Sequence, residues 1–349
     1  MEFILLLNWN GWRDTCECLQ SLMHLVGEKP KIVVCDNDSH DGSLDHIRAW
    51  ARGEEISTLP TWWAAETSAE TDWAAARTTS SIPARPRVAE VRCRDGGGFE
   101  CDQPDADLFL LPTGANLGFA GGCNVGLRFI LTQPAARSVW LLNNDTVVAP
   151  QALQRLLNEA RNRPGVGMVG SVLRYYHRPE VVQALGGGRL DLQRTATMHV
   201  GEGTRHVALD ITTQQQVERQ LAYITGASLL VTREFLETVG LMQEDYFLYY
   251  EEIDWAERAR RSTPPFGMAL AKDSMVFHKE GASAGTNSRS VLSSRLLARN
   301  RLRFIKRFHP ARLGRARRHV LREALVALAK GRWRIAWTVA VISCSPVRI

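Results

Sequence analysis

A chain of 349 residues, 45% hydrophobic and 23% charged, lies near the globular average, which predicts a packed core and excludes a disordered or fibrous protein. The length suits one large α/β domain of roughly 250 residues with an appendage, or two ordinary domains. The net charge of +6 is unevenly spread: from Arg289 to Arg334 Lys and Arg outnumber Asp and Glu by 15 to 1, and the remainder carries a net −8. A body this acidic argues against a nucleic-acid partner; the basic tail is the part that would seek anions.

The cysteines at 16, 18, 35, 93, 101, 123 and 344 form no CxxC pair and accompany no His cluster, against a zinc site of usual spacing. Their odd number and irregular spacing also argue against a disulfide framework and suit a reducing cytoplasm. The N-terminal apolar run is short, lacks a basic flank and is followed by no small-residue cleavage site, so a first strand is expected in place of a signal peptide. The longest apolar run near the other end, 335–344, is about half of what crosses a bilayer, so no span is expected.

In chain order, 3–8 and KIVVCD at 31–36 read as strands, with helical spacing of Leu19, Leu22, Met23 and Val26 between them: a βαβ unit. A helix is expected over 43–51, after a turn dense in capping residues. Residues 53–105, rich in Ala, Thr, Ser, Trp, Pro and Gly, read as an irregular insertion with a strand near 87–93. Strand 107–111, the glycine-rich loop 114–126 opening a helix over 122–131, strand 138–142, a helix over 150–162 and strand 166–170 follow. Hairpin strands are expected around 195–209, then strand 222–231, helices 233–239 and 251–262, and strand 268–277. From about 289 the chain reads as basic helix. Alternating β and α predicts a mostly parallel sheet covered on both faces, with its ligand site at the carboxyl ends of the strands.

Four clusters fall at those ends. Asp36 and Asp41 could accept hydrogen bonds from a base or ribose, or simply form a solvated turn and helix cap. The loop Gly114–Gly126 offers backbone N–H groups and a helix N-terminus to a phosphate; it is not GxGxxG, which disfavours a dinucleotide fold. The strand exit Asn143-Asn144-Asp145 supplies oxygen ligands that suit Mg²⁺ or Mn²⁺ on a diphosphate, or is an ordinary strand-to-turn exit. Glu251, Glu252 and Asp254 open an amphipathic helix, where the dipole welcomes acids and a crowded carboxylate gains the raised pKa of a general base. His278 closes the following strand and is a candidate third ligand.

Taken in order, LLNWNGWRDTCECLQSL, VVCDNDSHDGS, GANLGFAGGCNVGL, WLLNNDTVV, ITGASLLVTREFLETVGLMQEDYFLYYEEIDWAERAR and VFHKEGASAG resemble the family 2 glycosyltransferases of the GT-A fold, especially bacterial rhamnosyltransferase-like and galactofuranosyltransferase-like members. The resemblance implies a GT-A domain over 1–288 and a basic amphipathic helical region over 289–349. It implies an inverting, metal-dependent transferase that moves a hexose from a nucleotide-diphosphate donor (a dTDP-sugar with rhamnose first, UDP-sugars next) to a hydroxyl of a cell-surface glycan or polyprenyl-linked acceptor. By position, Asn8, Asp36, Asp41, Asn116, Gly118, Gly121, Asn124, Asn143 and Asn144 correspond to donor-binding residues. Asp145, with His278, corresponds to the Mg²⁺ or Mn²⁺ site; Asn143 replaces the first Asp of the family's metal motif. Glu252 corresponds to the general base, with Asp254 and Glu251 behind it.

The tail interleaves Arg295, Arg299, Arg301, Arg303, Lys306 and Arg307 with Leu297, Leu302, Phe304, Ile305 and Phe308. It reads either as a helix packed on the domain or as a surface for anionic lipid, giving a cytoplasmic protein peripheral to the inner face of the plasma membrane. Two rivals remain. A sugar nucleotidyltransferase would carry a basic glycine loop after the first strand, where Asn8-Trp9-Asn10-Gly11-Trp12 stands. A non-catalytic sugar-nucleotide binder would suit Asn143 but not the retained carboxylates.

Overall fold

The computed structural model describes residues 1–68, 84–279 and 290–347; part of the 53–105 insertion and most of the VFHKEGASAG stretch lie outside them. The strands are β1 (Glu2–Asn8), β2 (Lys31–Asp36), β3 (Val88–Cys93), β4 (Phe99–Cys101), β5 (Leu108–Pro112), β6 (Ser138–Asn143), β7 (Thr146–Val148), β8 (Val166–Tyr175), β9 (Arg178–Leu185), β10 (Gly187–Asp191), β11 (Ala196–His199), β12 (Tyr223–Ile224), β13 (Ser228–Thr232) and β14 (Gly267–His278). One large sheet runs β4-β3-β5-β2-β1-β6-β13-β8-β14-β7, with β9 beside β8; β11-β10-β12 form a small second sheet. Strands β1, β2, β3, β5, β6, β8 and β14 point one way and β4, β7, β9 and β13 the other. The sheet is mostly parallel, as expected.

The unbroken apolar run of β1 has a simple cause. Phe3 and Leu5 enter one core, beside Cys123 and Phe129 of the helix Gly118–Leu131 and Trp255 of the helix Glu251–Arg261. Ile4 and Leu6 enter the other, beside Leu19 of the helix Trp12–Leu22 and Trp50 of the helix Ser43–Arg52. A strand buried on both faces has no polar side to show.

β4, β7, β9 and the helix Ile211–Glu218 are not among the elements expected from the sequence, and three further elements differ from the pattern read there. The glycine-rich helix begins at Gly118 instead of 122, because tertiary contact overrides the low helix propensity of glycine. A Cβ on Gly122 would stand 2.4 Å from Leu7 Cδ1, so the missing side chain lets this helix lie close on β1. The apolar run 222–231 breaks into β12, paired with β10, and β13, paired with β6: one segment serves two sheets. Around 195–209, β11 ends at His199, and Arg205 makes a single bridge to Val181.

The C-terminal region forms the helices Val291–Phe308, Leu313–Ala329 and Trp333–Cys344. Ala298, Leu302, Phe304 and Ile305 join the same core as Trp255. Five of the six basic residues of the first helix are engaged within the fold, Arg295 being exposed: Arg299 donates to the Tyr246 carbonyl (3.1 Å), Arg301 to Glu323 (2.7 Å), Arg303 to the Asp245 carbonyl, Lys306 to the Val347 carbonyl (2.7 Å) and Arg307 to Asp254 (3.1 Å). This helix braces the body.

Candidate active site

Parallel register sets Asn8 against Asp36 and Leu7 against Asn143, so β1, β2 and β6 end level and their last polar residues meet. Asn8, fully buried, donates to Asp36 Oδ1 (2.7 Å) and Ser39 Oγ (3.1 Å) and accepts from Thr15 Oγ1 (2.8 Å). Asp36 also accepts from the Ser39 N–H (3.0 Å); its carboxylate shapes the turn. Asn144 donates to Thr15 Oγ1 (2.9 Å) and lies 3.4 Å from Asn8 Oδ1. Asp41 is exposed and accepts from the N–H (3.1 Å) and hydroxyl (2.5 Å) of Ser43 at the helix start, a capping arrangement.

Asn37, which carried no assignment in sequence, joins this turn to the glycine loop. It donates to Asn116 Oδ1 (3.1 Å) and the Gly118 carbonyl (3.2 Å) and accepts from the Leu117 N–H (3.0 Å). Asn116 accepts in turn from the Gly118 N–H (3.1 Å). Gly118 has φ +71°, and a Cβ there would stand 2.3 Å from the Phe247 carbonyl, which accepts from the Phe119 N–H (2.6 Å). Only glycine allows this approach. Gly121 sits in the first helical turn, above Leu117. Asn124 is buried and faces the other way, donating to the Met242 carbonyl (2.8 Å) and Glu244 (2.9 Å) and accepting from the Met242 N–H (3.1 Å). It ties the 240s loop to the glycine helix.

Asp145 and His278 meet where β14 pairs antiparallel with β7. Asp145 Oδ1 is 3.1 Å from His278 Nε2, and both residues are buried. The Asn143 amide lies 3.3 Å from the same Nε2, and His278 Nδ1 lies 3.0 Å from Gln183 Oε1. Burial raises the Asp145 pKa, but His278 outweighs it, through charge and hydrogen bonding, and holds the carboxyl below its usual range. With Gln183 accepting from Nδ1–H, the Nε2 lone pair faces a carboxylate. Two acceptors in contact call for a cation, or a proton, between them. That donor set fits Mg²⁺ or Mn²⁺, which binds through one or two protein groups and completes its shell with phosphate oxygens and water. Among the described residues no group of three or more His, Cys, Asp and Glu forms a metal cage.

The third component is the start of the helix Glu251–Arg261. Phe247, Tyr249 and Tyr250 all have positive φ (66°, 70° and 80°), an uncommon run of left-handed aromatic residues. Asn300, fully buried on the helix Val291–Phe308, donates its amide to the carbonyls of Tyr246 (2.8 Å), Leu248 (2.8 Å) and Tyr249 (2.9 Å). The turn delivers Glu251 and Glu252 with an Oε2 atom each that is buried and has no hydrogen-bond partner among the described residues. Burial pushes the Glu252 carboxyl up to about 7; burial and then the Glu252 charge raise Glu251 further. Adjacent buried carboxylates titrate as a pair. Asp254 is placed otherwise: fully buried, it accepts from Tyr246 (3.0 Å), Arg258 (2.8 Å) and Arg307 (3.1 Å). These three bonds make it an anchor for the helix start.

Asn37, Gln183 and Asn300 were not singled out in sequence. Asn37 stood inside the Asp36–Asp41 turn and was readable there; the other two act across long chain separations and left no local signal.

A mixed, mostly parallel sheet with polar groups gathered at its carboxyl edge defines a GT-A type sugar-nucleotide transferase fold. The mannosyltransferase of Pyrobaculum calidifontis, solved with GDP-Man and Mn²⁺, shares it with a TM-score of 0.52 at 14% identity, over 98% of this chain and 83% of that one. GalNAc-T7, solved with UDP, GalNAc and Mn²⁺, does so with a TM-score of 0.52 at 11% identity, over 88% of this chain and 47% of that one. Residues 100–306 match the glycosyltransferase-like family 2, and the chain belongs to that family. A low-salt glycan biosynthesis hexosyltransferase, Agl10, of Haloferax volcanii is 23% identical over 175 residues, 48% of this chain and 52% of that protein. The chain thus spans about half the length of that relative. An N-acetylglucosaminyl-diphospho-decaprenol L-rhamnosyltransferase of Mycobacterium tuberculosis is 25% identical over 231 residues, 61% of this chain and 72% of that one. Among the described residues no helix is long and apolar enough to cross a membrane.

Proposed function

We propose that this protein is an inverting glycosyltransferase that moves a hexose from a nucleotide-diphosphate donor to an acceptor hydroxyl, with Glu252 as its base. The observation that carries the reading is the Glu251–Glu252 pair, each with a buried Oε2 atom that has no hydrogen-bond partner among the described residues, the Glu252 carboxyl being pushed up to about 7 by burial. A carboxylate oxygen kept dry without a partner costs stability, and a pKa near the working pH is what a general base requires.

In this reading the donor diphosphate lies over the N-terminus of the glycine helix, where the helix dipole favours anions, and the nucleoside lies along the Asp36–Asp41 turn. Asp145 and His278 would hold Mg²⁺ or Mn²⁺. Bound there, the ion would neutralise the diphosphate and make it a better leaving group. Glu252 accepts the acceptor hydroxyl's proton as that oxygen bonds to the anomeric carbon. The bond from that carbon to the diphosphate oxygen breaks on the opposite face, the nucleoside diphosphate departs, and the anomeric centre inverts. No enzyme nucleophile is needed.

The finer assignment is a dTDP-rhamnose donor and a polyprenyl-linked or cell-surface glycan acceptor, with the protein cytoplasmic and peripheral to the membrane's inner face. It is supported by the relative that acts on a decaprenol-linked sugar. The test is release of nucleoside diphosphate from dTDP-rhamnose, UDP-sugars and GDP-mannose with Mg²⁺ or Mn²⁺, using lipid-linked sugar acceptors. Turnover that disappears in Asp145→Ala and Glu252→Gln is expected. Undiminished turnover in Glu252→Gln would overturn the base assignment.

A further inference from the structure

The last two helices carry an apolar face that none of the described residues covers. Leu325 and Leu328 on the helix Leu313–Ala329 are 58% and 56% exposed, and Trp333 and Trp337 on the helix Trp333–Cys344 are 67% and 73% exposed. These are not scattered positions. Leu321 and Leu325 each follow a buried residue, Val320 and Ala324, by one step, and Trp337 follows buried Ala336 by one step; each step turns about 100° in the same sense. The helices run antiparallel, since Arg317 near the start of the first bonds to the Ser343 and Ser345 carbonyls at the end of the second. Equal rotation on antiparallel helices places both stripes on one side of the hairpin.

Arginines border the stripe. Arg315, Arg318 and Arg322 share one side of their helix at i, i+3 and i+7. With His319, Gln193 and Arg194 of the 191–196 turn they line an open cavity of about 310 Å³. Arg312 fixes the hairpin to that turn through the Leu192 carbonyl (3.1 Å). Glu323, the sole acid between 289 and 334, is engaged by Arg301 on the neighbouring helix.

We propose that this hairpin is the surface by which the protein docks on an anionic phospholipid bilayer, the stripe entering the headgroup–acyl boundary and the arginine-lined cavity taking lipid phosphates. This deepens the membrane placement proposed above and moves it from the helix Val291–Phe308, five of whose six cations are engaged within the fold, to the two helices after it. Three physical points select this occupant. Exposed tryptophans beside arginines match the bilayer interface, where amphipathic rings and cations both find partners. A helix of 12 residues is about 18 Å long, too short to cross a hydrocarbon core of about 30 Å, so it lies on the surface. A second copy packing symmetrically would bring the same arginine border toward itself with hardly an acid to meet it.

The test is flotation of the intact protein with phosphatidylcholine vesicles, with and without about one third phosphatidylglycerol, alongside sedimentation velocity and thermal shift with nucleotide sugars. Wild-type protein should float with the anionic vesicles and bind neutral ones about ten-fold less. Trp333→Ser/Trp337→Ser should lose about ten-fold of that binding with its melting temperature and nucleotide-sugar response unchanged. Arg318→Glu/Arg322→Glu should erase the preference for anionic lipid. Failure of wild-type protein to float, or a dimer that Trp337→Ser converts to monomer, would overturn the proposal. The thermal-shift arm reports on the sugar-nucleotide reading separately, so one can fail without the other.

Discussion

Asn300 holds the carbonyl of Tyr249 at 2.9 Å from its side-chain amide, and through it a C-terminal helix sets the conformation of a turn some fifty residues earlier. Arg299 and the Leu248 N–H also donate to the Tyr246 carbonyl (3.1 and 2.8 Å), whereas among the described residues the carbonyls of Leu248 and Tyr249 are met by Asn300, which ties down the left-handed aromatic residues. The helix Val291–Phe308 therefore shapes the turn from which the proposed base, Glu252, projects.

Asn300→Ala should lower kcat about ten- to a hundred-fold and reduce stability by about 1–3 kcal/mol, the cost of stranding buried carbonyls. Asn300→Asp should be worse, because a carboxylate would face those carbonyl oxygens. Steady-state kinetics with chemical denaturation checks this; full activity in both variants would mean the turn holds itself.

With Glu252 as the proposed base, turnover should depend on pH. A base must be deprotonated, so kcat should rise as pH climbs through about 7. Glu252→Gln should remove about 10²- to 10⁴-fold of kcat while leaving donor binding within about two-fold. The stability effect has the opposite sense. A carboxyl raised from its ordinary 4.5 to about 7 binds a proton more tightly in the folded state, so stability falls as pH rises across that interval. The melting temperature of Glu252→Gln should exceed wild type at pH 8 and match it at pH 4.

Metal dependence should run through His278 and its support. Gln183→Leu removes the acceptor that orients the imidazole (3.0 Å), and loss of such a partner weakens metal affinity about ten- to a hundred-fold. Titration of activity with Mn²⁺ should show a shifted midpoint with kcat recovered at saturation. His278→Ala should not recover.

Asp254→Ala tests stability, not chemistry. It strands Arg258 and Arg307 against a lost partner, and breaking a buried pair costs about 3–5 kcal/mol. Asp254→Asn, where it folds, should keep the pH profile of wild type, which a catalytic Asp254 would not.

Most of the strand order of events was legible in the sequence because doubly buried strands must be apolar throughout and parallel units need helices between them. The turn and capping chemistry at Asp36–Ser43 was equally local, and so was the polar exit Asn143-Asn144-Asp145 from β6. The ordered motifs were enough to suggest the family. Tertiary structure alone decided which polar residues are free and which are bound. Asp254 and Glu252 stand two positions apart on one helix, yet one is spent in three bonds and the other is left open. The same holds for the tail: equal periodicity of Arg and Leu turned inward on one helix and outward on the next two. Periodicity fixes which residues share a face, whereas the partner of that face is set by chain segments far away in sequence.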